Sequence, residues 1–248
     1  MKNIVAVILA AGKGKRIGAE KAGLPKVMFE IAGKPMVWYC VEKFQKLGVK
    51  DIVLVVGYQK EKIMNYFGNS VKYAVQDKLL GTGHAAMMVR NLAEGKYRGI
   101  LICYGDNPMF ASQSIKKVID AYEKESPTIA MLTVTFKDPE YWAFGRIIRN
   151  KKGDIVRIVE QKDCSSQELK IKESNPGFYI FDNNWFWENI GKIRAENTQR
   201  EYYLTDMIGL AGRQGRKIIA IPVSDEQEAL GVNNLEQLRK AEKILKEK

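Results

Sequence analysis

The residues best suited to chemistry fall early in the chain. Gly12-Lys13-Gly14-Lys15-Arg16-Ile17-Gly18 mixes small residues with three cations. Glycines let a backbone close around a ligand and aim its amide N–H groups at phosphate oxygens. Lysine and arginine add the positive charge that a polyphosphate requires. Two familiar glycine patterns do not fit. In G-x-G-x-x-G the third glycine would come one residue before Gly18, and no Gly-Lys-Ser/Thr triplet opens a helix. A second basic point, Lys26, follows Leu24-Pro25. The pattern reads as a nucleotide site of another kind, against the alternative of a solvated basic turn.

Other polar residues stand at similar junctions. Gln76 and Leu80-Gly81-Thr82-Gly83-His84-Ala85 follow an apolar run, with donors and acceptors suited to a base or sugar edge. His84, the single histidine, reads as structural more readily than catalytic. Asp106, in Tyr104-Gly105-Asp106-Asn107-Pro108, is placed either to hold a hard cation with triphosphate oxygens or to cap its own turn. Asn233-Asn234 offers an amide oxygen ligand or an Asx turn. No Ser-His-Asp or Cys-His arrangement is apparent, and Cys40, Cys103 and Cys164 lack metal spacing.

These positions need elements to hold them. Ile4 to Ala11 is a short, β-branched apolar run, as in a strand buried on both faces. Further strands are predicted at Asp51–Val56, Val71–Val75, Ile100–Cys103, Pro127–Phe136 and Lys217–Val223. Helices are predicted from Pro35 to Leu47, at Gln59–Phe67, at Ser112–Lys124 with Ser112 as cap, through Ile208 and Leu210, and at Leu235–Lys246. The alternation predicts an α/β fold with a Rossmann-like, mostly parallel sheet and helices on both faces. Ligands of such sheets bind beyond the carboxyl ends of the strands, where the unusual residues fall. From Asp138 to about Arg200 shorter strands predominate, including a hairpin about Asn150 to Asp154, so a small β-rich lobe is expected there. The expected organisation is one domain over 1–248: a nucleotide-binding part at 1–137, a lobe at 138–200, and closing helices with the last strand at 201–248.

Leu9-Ala10-Ala11-Gly12-Lys13-Gly14-Lys15-Arg16, completed by Leu24-Pro25-Lys26, resembles the signature of the sugar-1-phosphate nucleotidylyltransferases. Gln76 with Leu80 to Ala85 resembles the uracil-holding loop of bacterial N-acetylglucosamine-1-phosphate uridylyltransferases. Phe144-Gly145-Arg146-Ile147, Glu160-Gln161-Lys162-Asp163, Asn175-Pro176-Gly177 and Glu201-Tyr202-Tyr203-Leu204-Thr205-Asp206 match further motifs, so the likeness runs in order from Leu9 to Asn234. Departures are Lys15 for a common threonine, Phe144 for tyrosine, and Asn107 after the aspartate. Members with a second, acetylating domain continue into a hexapeptide-repeat helix, and an acetyltransferase activity is not expected from these residues.

The resemblance implies the nucleotide-diphospho-sugar transferase fold and a Mg²⁺-dependent reaction of UTP with N-acetylglucosamine 1-phosphate. It implies nucleotide contacts at Leu9, Ala11, Gly12, Gly14, Gln76, Gly81 and Thr82, with Arg16 and Lys26 as the catalytic cations. It implies sugar contacts at Tyr104, Gly105, Gly145, Glu160, Asn175 and Thr205, and Mg²⁺ ligands at Asp106 and Asn233. Without it, Glu160 would pass as an exposed strand charge and Thr205 as a first-turn residue. Rivals are the same chemistry on another sugar such as glucose 1-phosphate, relaxed choice between UTP and dTTP, and a nucleotide-sugar sensor without turnover.

Composition narrows the classes. The 248 residues are 46% hydrophobic and 28% charged, as for a globular chain with a sizeable core. The net charge of +11 is spread along the sequence without a dense basic run or a nucleic-acid motif, so anionic small molecules explain it as well and no nucleic-acid partner is expected. No stretch approaches the ~20 apolar residues of a bilayer span. The first eleven residues have one cation and a short apolar run, which reads as a strand rather than a leader. The cysteine usage points to a reducing, cytoplasmic compartment. The oligomeric state is not legible.

Overall fold

The computed structural model describes residues 3–247, the side chains of residues 141 and 142 excepted. In chain order the first half holds β1 (Ile4–Leu9), α1 (Ala19–Ala22), β2 (Glu30–Ile31), β3 (Lys34–Pro35), α2 (Met36–Lys46), β4 (Asp51–Val56), α3 (Lys60–Phe67), β5 (Lys72–Val75), α4 (Thr82–Met87), α5 (Arg90–Ala93), β6 (Gly99–Tyr104), α6 (Ser112–Glu125) and β7 (Ile129–Thr135). The second half holds α7 (Pro139–Trp142), β8 (Gly145–Arg149), β9 (Ile155–Val159), β10 (Glu173–Asn175), β11 (Phe178–Asp182), α8 (Asn183–Asn189), α9 (Asp206–Arg213), β12 (Ile218–Pro222) and α10 (Leu235–Lys246).

β1 shows why a sheet forms here. All six of its residues are buried. Ile4, Ala6 and Ile8 face one apolar cluster, and Val5, Val7 and Leu9 face the other. Alternation across the pleat thus feeds two cores, one against each layer of helices. The faces are closed by amphipathic helices such as α2, which buries Met36, Val37, Cys40, Val41 and Phe44. Cys40 and Cys103 are buried among apolar neighbours, as their surroundings in the sequence predict.

The main sheet runs β5-β4-β1-β6-β11-β7, with β12 on β7. Its strands are parallel except β11, which is antiparallel to both β6 and β7. β1, β4, β5 and β6 therefore end on one edge. A second, antiparallel sheet branches from the far end of β7 through β10 and β8 to β9. It is the expected β-rich lobe, and its hairpin turns at Asn150 to Asp154, where Asn150 Oδ1 accepts from the amides of Lys152 and Asp154.

Two expectations need correction. β11 lies inside the 138–200 stretch yet runs through the middle of the main sheet, and the lobe's strands end at Asn175. Its Phe178-Tyr179-Ile180-Phe181 run is fully buried. Such a run declares burial on two faces but not strand direction, which is set by the short Pro176-Gly177 link from β10. Ser112 also opens α6 as its first residue rather than its cap. Ala111 holds that position, and its amide donates to Glu228 Oε2 at 3.1 Å.

Candidate functional site

The basic loop leaves β1 while still tied to the sheet, through Ala10 N to Val55 O at 2.8 Å. Gly14 and Gly18, with φ of 67° and 79°, bracket a single 3-10 turn at Lys15–Ile17, and the buried Ile17 anchors it. Gly14 is required sterically, because a Cβ there would lie 2.5 Å from Lys26 Cβ. Gly12 meets nothing within 4 Å, so no protein atom demands a glycine there. Arg16 and Lys26 are brought together from opposite ends of this segment.

They meet two oxygen acceptors from distant loops. Lys26 Nζ forms an ion pair with the Asp106 carboxylate and donates to Asn233 Oδ1 at 3.0 Å. Arg16 Nη2 donates to the same Asn233 oxygen at 3.0 Å. Asp106 is placed by the end of β6, where Gly105 N donates to Leu9 O at 3.0 Å. Its own carbonyl accepts from Val232 N at 3.0 Å, which ties the two acceptor loops. Of the Asn233-Asn234 pair, Asn234 is the helix cap, accepting from Gln237 N at 2.8 Å. Asn233 is thereby free of capping, and its oxygen turns to the cations.

Across the same edge, Gln76 leaves the end of β5 and is almost wholly buried. Its Nε2 donates to Gly81 O at 3.1 Å and lies 3.0 Å from His84 Nδ1. Burial lowers the His84 pKa, which favours the neutral imidazole. Gly81 has φ of 108°, and a Cβ there would sit 2.6 Å from Tyr202 O. Its close approach is thus to the 201–203 backbone. Gly83 N to Tyr202 O at 2.7 Å and Tyr202 N to Leu80 O at 2.8 Å complete that junction. Thr82 Oγ1 accepts from Leu204 N at 3.0 Å.

Between these groups lies a cavity of about 890 Å³. Leu9, Ala11, Gly12, Gly14, Arg16, Lys26, Gln76, Gly81, Thr82, Tyr104, Asp106 and Asn233 all line it. So do Val27 and Leu79, which sequence reasoning did not single out, and Ala85 and Glu201, which it read only as members of matched motifs without a site role. The first three are ordinary apolar residues. Glu201 lines the cavity where Gly81 packs against residues 201 and 202, and burial raises its carboxyl pKa.

The expected sugar residues sit apart from this cavity, and only Tyr104 borders it. Gly105 is buried, against Val27 and Ile8. Glu160 and Thr205 line a neighbouring cavity of about 460 Å³, and Thr205 Oγ1 donates to Glu160 Oε1 at 2.9 Å. A Cβ on Gly145 would lie 3.4 Å from Glu160 Oε2, so the two are adjacent. Asn175 is buried, donating through Nδ2 to Tyr179 Oη at 2.5 Å and accepting from Gly177 N at 3.1 Å. The glycine at 177 makes room for the Tyr104 ring, which a Cβ would enter at 2.2 Å. Burial, then nearby Asp163 and Asp206, raises the Glu160 pKa despite the Thr205 hydroxyl. Burial likewise pushes Asp206 up to about 6, against the pull of Arg213.

A parallel sheet that gathers cations, a carboxylate and an amide about one cavity at its carboxyl edge defines a nucleotide-binding α/β protein. The chain matches the Nucleotidyl transferase family model over residues 5–228, and it belongs to that family of enzymes. It is 40% identical over 248 residues to the "Bifunctional protein GlmU" of Caldanaerobacter subterraneus subsp. tengcongensis, covering 99% of this chain and 52% of that protein. For the protein of the same name from Enterococcus faecalis the identity is 39%, over 99% of this chain and 52% of the relative. The chain thus spans about half the length of these curated relatives. A UDP-glucose pyrophosphorylase solved with UDP-glucose superposes with a TM-score of 0.82 at 20% identity, covering 100% of this chain and 99% of the other. That likeness establishes the nucleotide-diphospho-sugar transferase fold. Among the described residues no helix is long and apolar enough to cross a membrane.

Proposed function

We propose that this chain is a Mg²⁺-dependent uridylyltransferase that joins UTP to N-acetylglucosamine 1-phosphate and releases pyrophosphate. The observation that carries the reading is the convergence of Arg16, Lys26, Asp106 and Asn233 beside a cavity that Gln76 also lines. The sugar phosphate oxygen is already ionised at neutral pH, so the reaction requires no general base. What it requires is the approach of two anions. Unit charges about 4 Å apart repel by roughly 4 kcal/mol at an effective dielectric near 20. Arg16 and Lys26 would offset this, and the loop amides of Gly12 and Gly14 would hold the triphosphate in line for attack at the α-phosphate.

Asp106 and Asn233 fit a hard divalent cation. Their oxygens already share one cationic partner, Lys26 Nζ, and a carboxylate with an amide oxygen is the kind of donor pair Mg²⁺ takes beside phosphate oxygens and water. Among the described residues no cluster of three or more His, Cys, Asp or Glu offers another place for a metal. Held there, Mg²⁺ would neutralise charge on the triphosphate and on the departing pyrophosphate. Lys26 would then exchange its protein acceptors for phosphate oxygens. Gln76, Gly81 and Thr82 would read the base; Tyr104, Gly105, Gly145, Glu160, Asn175 and Thr205 would seat the sugar. The partners proposed are these small molecules, acting in the cytoplasm.

Pyrophosphate release over a grid of four triphosphates and several sugar 1-phosphates tests the reading. UTP with N-acetylglucosamine 1-phosphate should lead, and dTTP should leak through, since an added methyl is rejected only ~10–200-fold. Equal turnover of UTP and ATP would overturn the base assignment. Preference for glucose 1-phosphate would move the sugar assignment and leave the chemistry. Tight binding of UTP with no pyrophosphate released on any acceptor would mark a sensor.

A further inference from the structure

We propose that His84 is a positioning residue that sets base selectivity by fixing which end of the Gln76 amide faces the nucleotide cavity. The inference rests on the uridylyltransferase reading and adds a residue to it. Gln76 is buried, and both hydrogens of its Nε2 have acceptors: Gly81 O at 3.1 Å and His84 Nδ1 at 3.0 Å. Its Oε1 has no hydrogen-bond partner among the described residues, on a side chain that lines the cavity. An amide held in this sense presents an acceptor only. It matches a base edge that carries an N–H, as uracil does at N3, and opposes one with a lone pair there, as in cytosine.

Without His84, one of the two restraints is gone. Only Gly81 O would then resist rotation of the amide by half a turn, which would present the –NH₂ instead. The imidazole can serve because Nδ1 carries a lone pair in the neutral ring with its proton on Nε2. Burial of the ring favours that neutral form. His84 itself does not line the cavity, so its effect must pass through Gln76.

The test compares kcat and KM for UTP and CTP in the unaltered chain, His84→Leu and His84→Asn. Leucine removes the acceptor, whereas asparagine places its Oδ1 near the position of Nδ1 and cannot titrate. Losing one hydrogen bond to a neutral partner corresponds to a change on the order of tenfold. His84→Leu should therefore narrow the UTP-to-CTP ratio of kcat/KM by about tenfold, mainly through KM, while His84→Asn should keep it. A leucine variant with the unaltered ratio, or an asparagine variant that loses it as fully as leucine, overturns the inference. Equal use of UTP and CTP by the unaltered chain would count against the base assignment itself. A second measurement needs neither turnover nor a substitution. The chain has one histidine, so the imidazole ¹⁵N spectrum is unambiguous. A neutral ring protonated at Nε2 is expected; protonation at Nδ1 would remove the acceptor and the proposal.

Discussion

The two halves of the proposed site are built on opposite plans. On the nucleotide side, polar groups stand on loops at the ends of parallel strands and face an open cavity, and cations outnumber acids. On the lobe side, Glu160, Asn175 and Thr205 are bonded to their own neighbours. The difference follows from charge. Cations proposed for a polyphosphate can rest on exchangeable protein acceptors, as Lys26 does on Asp106 and Asn233, until the ligand brings its own countercharge. Neutral hydroxyl and amide contacts to a sugar gain little each, so they repay only groups whose geometry is set in advance.

That contrast predicts unequal effects when each side is broken. The largest belongs to Asp106. Chelation of divalent metal should abolish turnover, and Asp106→Ala should lower kcat by at least ~10²-fold with the fold preserved by circular dichroism. Asn233→Ala should do less, since a neutral oxygen contributes less to a dication than a carboxylate. Near-normal turnover in the aspartate variant would dissolve the distinction between the two sides.

A smaller loss is expected from Gly81→Ala. The added Cβ would strike Tyr202 O in a backbone that side chains rarely adopt. A cost of roughly 1–3 kcal/mol should appear as a lower unfolding midpoint, together with a higher KM for UTP. Gly12→Ala provides the contrast, because its Cβ meets no protein atom. It should leave the unfolding midpoint unchanged and impair only nucleotide binding.

On the lobe side, Glu160→Ala and Asn175→Ala should raise KM for the sugar phosphate about 2- to 13-fold, the span of one hydrogen bond of ~0.5–1.5 kcal/mol. Calorimetric affinity for UTP should hardly change. Abolished UTP binding in a folded variant would show that the halves are not separable.

The smallest effect is a pH dependence of stability. Folded Asp206 titrates at about 6, above the ordinary 3.8, because burial disfavours the carboxylate. The folded state therefore holds the proton more tightly than the unfolded state. This group's stabilisation is present below pH 4 and is lost as pH rises through 6. Asp206→Asn should flatten that slope and raise stability at pH 7 by about 1 kcal/mol, solvent screening included. Urea denaturation at pH 4.5 and 7 would measure it.

Much of the nucleotide side was legible because it is local. A strand, its loop and the residue that ends the strand are contiguous, so Gly12 to Arg16, Gln76 and Asp106 could be placed before any packing was known. α10 and β4 have the expected bounds for the same reason. The lobe was less legible. β11 reads as a buried strand, but its antiparallel place between β6 and β7 depends on pairing with strands far away in the chain. The role of Gly81 was only half visible: its backbone freedom shows in the sequence, its contact with Tyr202 does not.

Residue types and their spacing determined the α/β class, the carboxyl-edge location of the proposed site and the chemistry its cations and oxygens could perform. Those properties follow from backbone periodicity and side-chain character, which are carried in neighbouring residues. Only the tertiary structure decided that Lys26 bridges Asp106 and Asn233, and that His84 meets Gln76. It alone set Glu160 and Thr205 in a second cavity. Contacts of this kind depend on placing side chains from separate elements to within fractions of an ångström, and no local pattern encodes that.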